Sequence, residues 1–173
     1  MQIKKAFSIL VIIALQSGLV FGQSSLGDFT GYRISGKQIV VEADPAAVIF
    51  TFYRSDIVRV DLLPDGNTLP DTSWVVVQDT SQAVPYTLSE TENEISIQSA
   101  GLTIRLDKFP LRIHYATVSG LPLLDEPAAG GFLWDGPDKA ATFMLDPADH
   151  FYGTGERGMS LDLRGYSFTS YNT

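Results

Sequence analysis

Four carboxylates lie close together in the last third of the sequence, within the stretch DPADHFYGTGERGMSLDLRGYSF. They are Asp146, Asp149, Glu156 and Asp162. Two carboxylates set about 5–9 Å apart can act as acid and as nucleophile or base in sugar hydrolysis, but spacing along a chain does not fix that distance. The patterns Glu156-Arg157 and Asp162-x-Arg164 are also typical of ion-paired loop residues, and we favour this structural role for the cluster.

The same stretch holds Gly153-Thr-Gly155-Glu-Arg-Gly158, a literal G-x-G-x-x-G pattern after the strand-like residues 150–152. A dinucleotide-binding loop needs a helix, a further strand and an acid about 20 residues downstream. Only 15 residues follow Gly158, and they show no helical face. A kinase-type loop lacks its downstream partners for the same reason. The sequence therefore argues against nucleotide binding, and we expect these glycines to form turns or bulges beside a strand end.

Other catalytic arrangements find little support. The sequence has two histidines, His114 and His150, and neither has an acid or a second histidine at zinc-ligand spacing. No G-x-S-x-G motif presents a serine nucleophile, and cysteine is absent. We therefore predict no metal site and no cofactor, and expect both histidine rings to form local hydrogen bonds.

Aromatic side chains could stack on sugar rings, whose C–H faces suit a flat apolar surface. The candidates are Trp74, Trp134, Tyr152, Tyr166 and Tyr171. Aromatic residues of a β-sandwich more often belong to its core, and we expect this of Trp134. Tyr166 and Tyr171 lie in a Gly/Ser-rich stretch, where either role is open.

The elements that would position these residues are short strands. β-branched and aromatic runs alternate with turn residues, and LRIHYATV (111–118) places Leu111, Ile113 and Tyr115 on one face and His114 on the other. Such runs at about 8–12-residue spacing predict an all-β, antiparallel β-sandwich or barrel. The predicted strands cover 37–43, 47–54, 57–63, 74–78, 86–90, 94–100, 102–108, 111–118, 131–135 and 139–145. We expect residues 23–28 to form a flexible lead-in.

The first 22 residues have the pattern of a secretory signal peptide. Lys4 and Lys5 precede the apolar run AFSILVIIAL, and lighter residues follow up to Gly22. The apolar run is too short for a typical spanning helix, although a membrane anchor is the alternative interpretation. We expect cleavage after Gly22, export to the periplasm or beyond, no membrane association afterwards, and one domain over residues 23–173.

The charge of the chain excludes one class of partner. The net charge is −8, and loss of residues 1–22 would remove two lysines and no acid, giving −10. Nucleic-acid binding requires a basic surface that neutralises phosphates. We therefore predict no nucleic-acid partner.

The C-terminal stretch resembles a known enzyme family. HFYGTGERGMSLDLRGYSFTSYNT is similar to the Y-G-x-G-E-R segment of glycoside hydrolase family 31, the α-glucosidases and α-xylosidases, including its L-x-x-R-G continuation. Two upstream stretches, VIFTFYRSDIVRVDLLPDG and LTIRLDKFPLRIHYATVSGLPLLDE, are similar to strand pairs of the same family. The three stretches lie between Val48 and Thr173 and so span most of the chain after the signal peptide.

The resemblance implies a place within a larger enzyme. The chain would be the N-terminal, galactose mutarotase-like β-sandwich that precedes a (β/α)8 barrel, and it would lack its own last strands. In this family both catalytic aspartates belong to the barrel, so we expect no catalytic residue in this chain. The expected partners are an α-linked oligosaccharide substrate and the downstream barrel.

The resemblance also assigns roles to individual residues. Tyr171, Asn172 and Thr173 match a loop that helps to shape a substrate subsite, so they are the candidate substrate contacts. Glu156, Arg157 and Arg164 match the motif itself and are expected to fix the loop. The alternatives left open are a stand-alone carbohydrate-binding sandwich and another sugar-processing enzyme with a mutarotase-like sandwich.

Overall fold

The computed structural model of the protein describes residues 23–64, 83–153, 158 and 160–169. These ranges contain twelve β-strands and no helix. The strands are β1 (Ser24–Ser25), β2 (Phe29–Ser35), β3 (Gln38–Ala43), β4 (Ala46–Arg54), β5 (Ile57–Leu63), β6 (Tyr86–Glu90), β7 (Glu94–Ser99), β8 (Thr103–Lys108), β9 (Leu111–Ala116), β10 (Pro122–Asp125), β11 (Phe132–Asp135) and β12 (Asp138–Ala141). No helix in the described ranges is long and apolar enough to cross a membrane.

Two antiparallel meanders make up most of the molecule. One sheet has four strands in the order β2-β3-β4-β5, and the other has five in the order β10-β9-β8-β7-β6. Consecutive strands pair in each sheet because only tight turns join them, such as Gly36-Lys37 between β2 and β3. Gly36 has a φ of 60°, the left-handed conformation that such hairpin turns require.

The two meanders share one hydrophobic core, which makes the fold a sandwich. Alternate residues of β7, β8 and β9 are fully buried, as shown by Ile97, Ile104 and Ile113, each with 0% exposure. They belong to the same buried cluster as Val41 and Phe50 of the four-stranded sheet. This arrangement confirms the predicted all-β, antiparallel β-sandwich, whose strands bury one face at a period of two residues.

A third sheet corrects the expectation of a flexible lead-in. β1 pairs with β11, which pairs with β12. Leu26 is buried, and the Gly27 amide donates a hydrogen bond to the Asp44 carbonyl at 2.7 Å. The Gly27 carbonyl accepts from the Leu111 amide, also at 2.7 Å. Residues 24–27 are therefore held against both meanders.

The predicted strands agree with the structure to within a few residues, but β1 and β10 were not predicted, and three further differences follow. β2 was not predicted, and its residues are mostly exposed, so that hydrophobic alternation is weak there. The predicted strand at 139–145 ends at Ala141, and residues 150–153 form no strand. The predicted strand at 74–78 and the predicted signal peptide (1–22) lie outside the described residues.

Candidate functional site

The candidate site is built on the segment that follows β12. This segment leaves the third sheet and runs beside β10, an edge strand of the five-stranded sheet. The Thr142 amide donates to the Gly131 carbonyl at 2.8 Å, and the Met144 amide donates to the Asp125 carbonyl at 2.8 Å. These two hydrogen bonds join the start of the segment to the sandwich.

Arg164 holds the segment in a closed loop. Its Nη1 donates to the Asp146 carbonyl at 2.8 Å and to the Asp149 carbonyl at 2.6 Å. The Arg164 side chain thus binds two carbonyls that precede it by 18 and 15 residues in the sequence. Hydrogen bonds from a guanidinium are charge-assisted and stronger than those between neutral groups.

Asp162 organises the same loop from its other side. Its Oδ2 lies 2.6 Å from His150 Nδ1, and its Oδ1 accepts from the amides of Phe151 (3.2 Å) and Arg164 (3.0 Å). The hydrogen bond from His150, together with those two amides, lowers the pKa of Asp162 to about 2. The carboxylate therefore stays ionised at neutral pH and keeps all three contacts.

The other two described carboxylates of the cluster also accept hydrogen bonds from the backbone. Asp146 Oδ1 accepts from the Ala148 amide at 2.8 Å, and Asp149 Oδ2 accepts from the Asp146 amide at 2.7 Å. The carboxylates thus satisfy donors of the loop. The predicted ion pair of Asp162 with Arg164 is wrong: Asp162 lies against His150, and the Arg164 guanidinium binds carbonyls.

An aromatic cleft opens on this loop. It has a volume of ≈350 Å³ and exposes the rings of Tyr152 (62% exposed) and Tyr166 (51% exposed). His150 stacks on Tyr152 with ring centroids 6.3 Å apart, which orients that ring. The lining residues are Leu145, Phe151, Tyr152, Leu163, Arg164, Gly165, Tyr166 and Phe168. Such a cleft can accept the apolar face of a ring-shaped ligand, with Arg164 at its wall.

A second exposed apolar surface, here named the β10 ledge, adjoins the cleft through Leu145. The ledge consists of Leu121, Leu123, Leu124, Met144 and Leu145, all of them exposed by at least 44%. A depression of ≈540 Å³ is lined by these residues together with Pro122, Asp125, Asp146, Pro147 and Asp149. Contiguous exposed apolar residues of this kind are typical of interaction surfaces.

The structure places the predicted site residues as follows. Arg164 fixes the loop by the bonds given above, whereas Glu156, Arg157, Tyr171, Asn172 and Thr173 lie outside the described residues. Trp134 is buried, as predicted, and Tyr166 is exposed in the cleft. Both histidines form local hydrogen bonds: His114 lies between Asp125 (2.8 Å) and Asp107 (3.1 Å), and His150 against Asp162.

Sequence reasoning missed Phe151, Leu145 and the leucines of β10 as surface residues. The available signal was the density of large apolar residues in stretches without strand alternation, at 121–124 and 144–152. Within the described ranges, no group of three or more His, Asp or Glu side chains is arranged to hold a metal ion.

Comparisons with known proteins extend these observations. Alpha-glucosidase 2 of Bacillus thermoamyloliquefaciens is 39% identical over 131 residues, which is 75% of this chain and 16% of that protein. The 1,6-alpha-glucosyltransferase of Sporosarcina globispora is 27% identical over 137 residues, or 75% of this chain and 10% of that protein. The chain therefore spans only a small part of these relatives.

Solved structures share the fold. A GH31 dextranase of Flavobacterium johnsoniae superposes with a TM-score of 0.75 at 23% identity, over 82% of this chain and 18% of that one. A cycloalternan-forming enzyme of Listeria monocytogenes gives a TM-score of 0.69 at 22% identity, over 87% and 15%. The family model described as "Glycosyl hydrolase 31 N-terminal galactose mutarotase-like domain" matches residues 47–173. The chain belongs to the family of glycosyl hydrolase 31 N-terminal galactose mutarotase-like domains.

Proposed function

We propose that the chain is the N-terminal sandwich of an exported retaining α-glycosidase that acts on α-linked glucosides. In this proposal the sandwich supports a (β/α)8 catalytic barrel and lends the segment after β12 to the substrate site. The observation that carries the proposal is the continuous exposed surface formed by the β10 ledge and the aromatic cleft. The 39% identity to an alpha-glucosidase supports the substrate class.

The β10 ledge supports the docking role. Five large apolar side chains lie exposed on and beside β10, which is an edge strand. Among the described residues, one backbone hydrogen bond reaches the outer side of this strand, from the Met144 amide to the Asp125 carbonyl. Burying such a surface against a second domain gains roughly 25 cal/mol for each Å² of apolar area removed from water. In this proposal the barrel covers the ledge, because apolar area left exposed would favour self-association.

The aromatic cleft supports the substrate role. Tyr152 and Tyr166 present exposed rings, and Arg164 and Asp162 hold the loop that carries them. A loop that is already ordered loses little conformational entropy when it binds a ligand. Tyr171, Asn172 and Thr173, a few residues further along the chain, are the proposed direct sugar contacts. The two catalytic carboxylates are assigned to the barrel, and no metal or cofactor is required of this domain.

The test uses the polypeptide in which this chain is followed by its barrel. Tyr166→Ala removes a cleft ring, and we expect kcat/KM for an α-linked glucotriose to fall about tenfold, as the loss of one sugar-stacking contact predicts. Tyr166→Phe keeps the ring and is expected to retain most of the activity.

The matched control is Tyr32→Ala, which removes an exposed ring of β2 in the other meander. This variant should leave kcat/KM unchanged. Equal kcat/KM values for the wild type and Tyr166→Ala would contradict the substrate role of the cleft.

A further inference from the structure

A third cavity lies on the outer face of the five-stranded sheet. It has a volume of ≈320 Å³, shares no residue with the aromatic cleft, and shares Pro122 and Asp125 with the depression at the β10 ledge. Its floor is formed by β7, β8 and β9, and its rim by the connection from β9 to β10. The lining residues are Gln98, Thr103, Arg105, Tyr115, Ala116, Thr117, Val118, Gly120, Pro122 and Asp125.

The rim of this cavity is held by a tight turn. The Thr117 amide donates to the Leu121 carbonyl at 2.9 Å, and the Gly120 amide donates to the Thr117 carbonyl at 2.9 Å. The Thr117 hydroxyl accepts from the Leu121 amide at 3.0 Å. Gly120 has a φ of 87°, which a residue with a side chain rarely adopts. The turn therefore presents Thr117 and Val118 to the cavity in a fixed position.

The opposite wall is held by a chain of side chains across three strands. Asp125 Oδ1 on β10 lies 2.8 Å from His114 Nδ1 on β9, and His114 Nε2 lies 3.1 Å from Asp107 Oδ2 on β8. His114 is only 18% exposed, so that its ring is packed as well as hydrogen-bonded. Asp125 lines the cavity, and its hydrogen bond to His114 sets the orientation of its carboxylate.

The cavity offers both hydrogen-bond donors and acceptors. Arg105 and the Gln98 amide can donate, and the Asp125 carboxylate and the Gln98 amide oxygen can accept. One positive and one negative side chain leave the lining without net charge. The Arg105 guanidinium forms a long ion pair with Glu94 at 3.8 Å, a distance beyond that of a hydrogen bond. Arg105 therefore has donors available to a ligand.

An apolar flank accompanies these polar groups. Ala116, Val118 and Pro122 contribute carbon surface to the same cavity. A lining that is neutral overall, rich in donors and acceptors and apolar on one flank is complementary to a neutral polyhydroxylated ring. An anionic ligand is disfavoured by Asp125 and Glu94 and by the net charge of −8.

We propose that this cavity is a second carbohydrate site, which holds one glucose unit of an α-glucan away from the aromatic cleft. Arg105 and Gln98 would bind ring hydroxyls as donors, Asp125 would accept from a hydroxyl, and Val118 with Pro122 would contact the C–H face. The choice of an α-glucan rests on the proposed function. The site itself requires only the cavity and its held walls, and its role would be to retain a polymeric substrate on the enzyme.

The test is a titration of the full, ¹⁵N-labelled chain with glucose and with maltotriose, followed by the backbone amide resonances. We expect saturable shifts at Thr103, Ala116 and Val118, with a Kd on the order of 1 mM. Arg105→Ala and Gln98→Ala should each weaken binding about tenfold, the effect of one lost polar contact. Arg54→Ala, which removes an exposed arginine outside the cavity, and Ser89→Ala on β6 should bind as the wild type does.

Each remaining outcome separates this site from the aromatic cleft. Shifts confined to residues 145–168, with binding lost in Tyr166→Ala and retained in Arg105→Ala, would overturn the second site and leave the proposed function standing. Absence of saturable shifts, or equal affinity of Arg105→Ala, Gln98→Ala and the wild type, would also overturn it. The side chains of Arg105 and Gln98 are exposed, so we expect their substitution to leave thermal unfolding unchanged. Unchanged unfolding would exclude misfolding as the cause of weaker binding.

Discussion

Glu126 occupies the space that a side chain at Gly131 would need. A Cβ added at Gly131 would overlap the Glu126 carboxyl group, which is buried and accepts a hydrogen bond from the Ile113 amide at 3.0 Å. The glycine therefore lets the connection between β10 and β11 close over a buried acid. Ile113 is a buried residue of β9, so the hydrogen bond from its amide to Glu126 connects the five-stranded meander to the chain that leads into the third sheet.

Gly131→Ala is predicted to destabilise the protein by about 2–3 kcal/mol, because Glu126 must leave its position and the Ile113 amide loses its partner. Urea unfolding measures the loss. Gly158→Ala is the control, since a Cβ at Gly158 meets nothing within 4 Å. In the Glu126→Ala background, Gly131→Ala should lower the free energy of unfolding by much less. Additive losses in the double variant would contradict the claim that the two side chains compete for one space.

Glu126 also makes stability depend on pH. Burial raises its pKa from 4.5 to about 7, while the Ile113 amide and the charges of His114 and Arg112 act in the opposite direction. The folded state therefore holds a proton that the unfolded state releases above pH 4.5. The free energy of unfolding from this group falls as the pH rises from 4.5 to about 7, by on the order of 3 kcal/mol, and then levels off.

Urea unfolding between pH 5 and pH 8 tests this dependence. Glu126→Gln should flatten the decline, because its amide does not titrate and its carbonyl oxygen can still accept from Ile113. Glu92→Gln, on an exposed turn, is the control and should keep the decline. An equally steep decline in Glu126→Gln would show that another group is responsible.

Arg164→Ala is predicted to open the loop after β12 without unfolding the sandwich. The side chain holds the carbonyls of Asp146 and Asp149, but all three residues are exposed and none belongs to the core. Hydrogen exchange of residues 146–164 should become about tenfold faster, the equivalent of roughly 1.4 kcal/mol. Arg33→Ala, which breaks an exposed ion pair with Glu42, should not affect the segment. Unchanged exchange in Arg164→Ala would refute the fixing role.

Leu124→Asp tests the β10 ledge. Leu124 is 44% exposed, so the 173-residue chain alone should change in stability by less than about 1 kcal/mol. A longer polypeptide that carries the proposed barrel should lose about 2 kcal/mol or more, because the substitution would bury a charge in the proposed interface. Thermal unfolding of both proteins gives the comparison, and an equal effect in the two would argue against docking at the ledge.

The sandwich could be predicted because its information is local. In β9, Leu111, Ile113 and Tyr115 alternate with polar residues, and the structure buries these three and turns His114 to the outer face. Tight turns at Asp44-Pro45 and Ser55-Asp56 then leave neighbouring strands little choice of partner. Strand faces and pairing order follow from such short-range patterns.

The rest could not be predicted because it depends on contacts between distant residues. Residues 24–27 look like a linker, yet Gly27 is held by Asp44 and Leu111, far away in sequence. Likewise, nothing near Arg164 indicates that it binds the carbonyls of Asp146 and Asp149, and the nearby acid Asp162 suggested an ion pair instead. The aromatic cleft depends on the hydrogen bonds of Arg164, so its shape could not be predicted from the sequence.

The central claim is that this domain serves an α-glycosidase whose catalytic groups lie outside it. Hydrolysis of p-nitrophenyl α-glucoside tests it most directly, assayed with the 173-residue chain alone and with the polypeptide that carries the barrel. We predict turnover by the longer polypeptide and none above background by the chain alone. Turnover by the chain alone that Glu156→Gln abolishes would contradict the account.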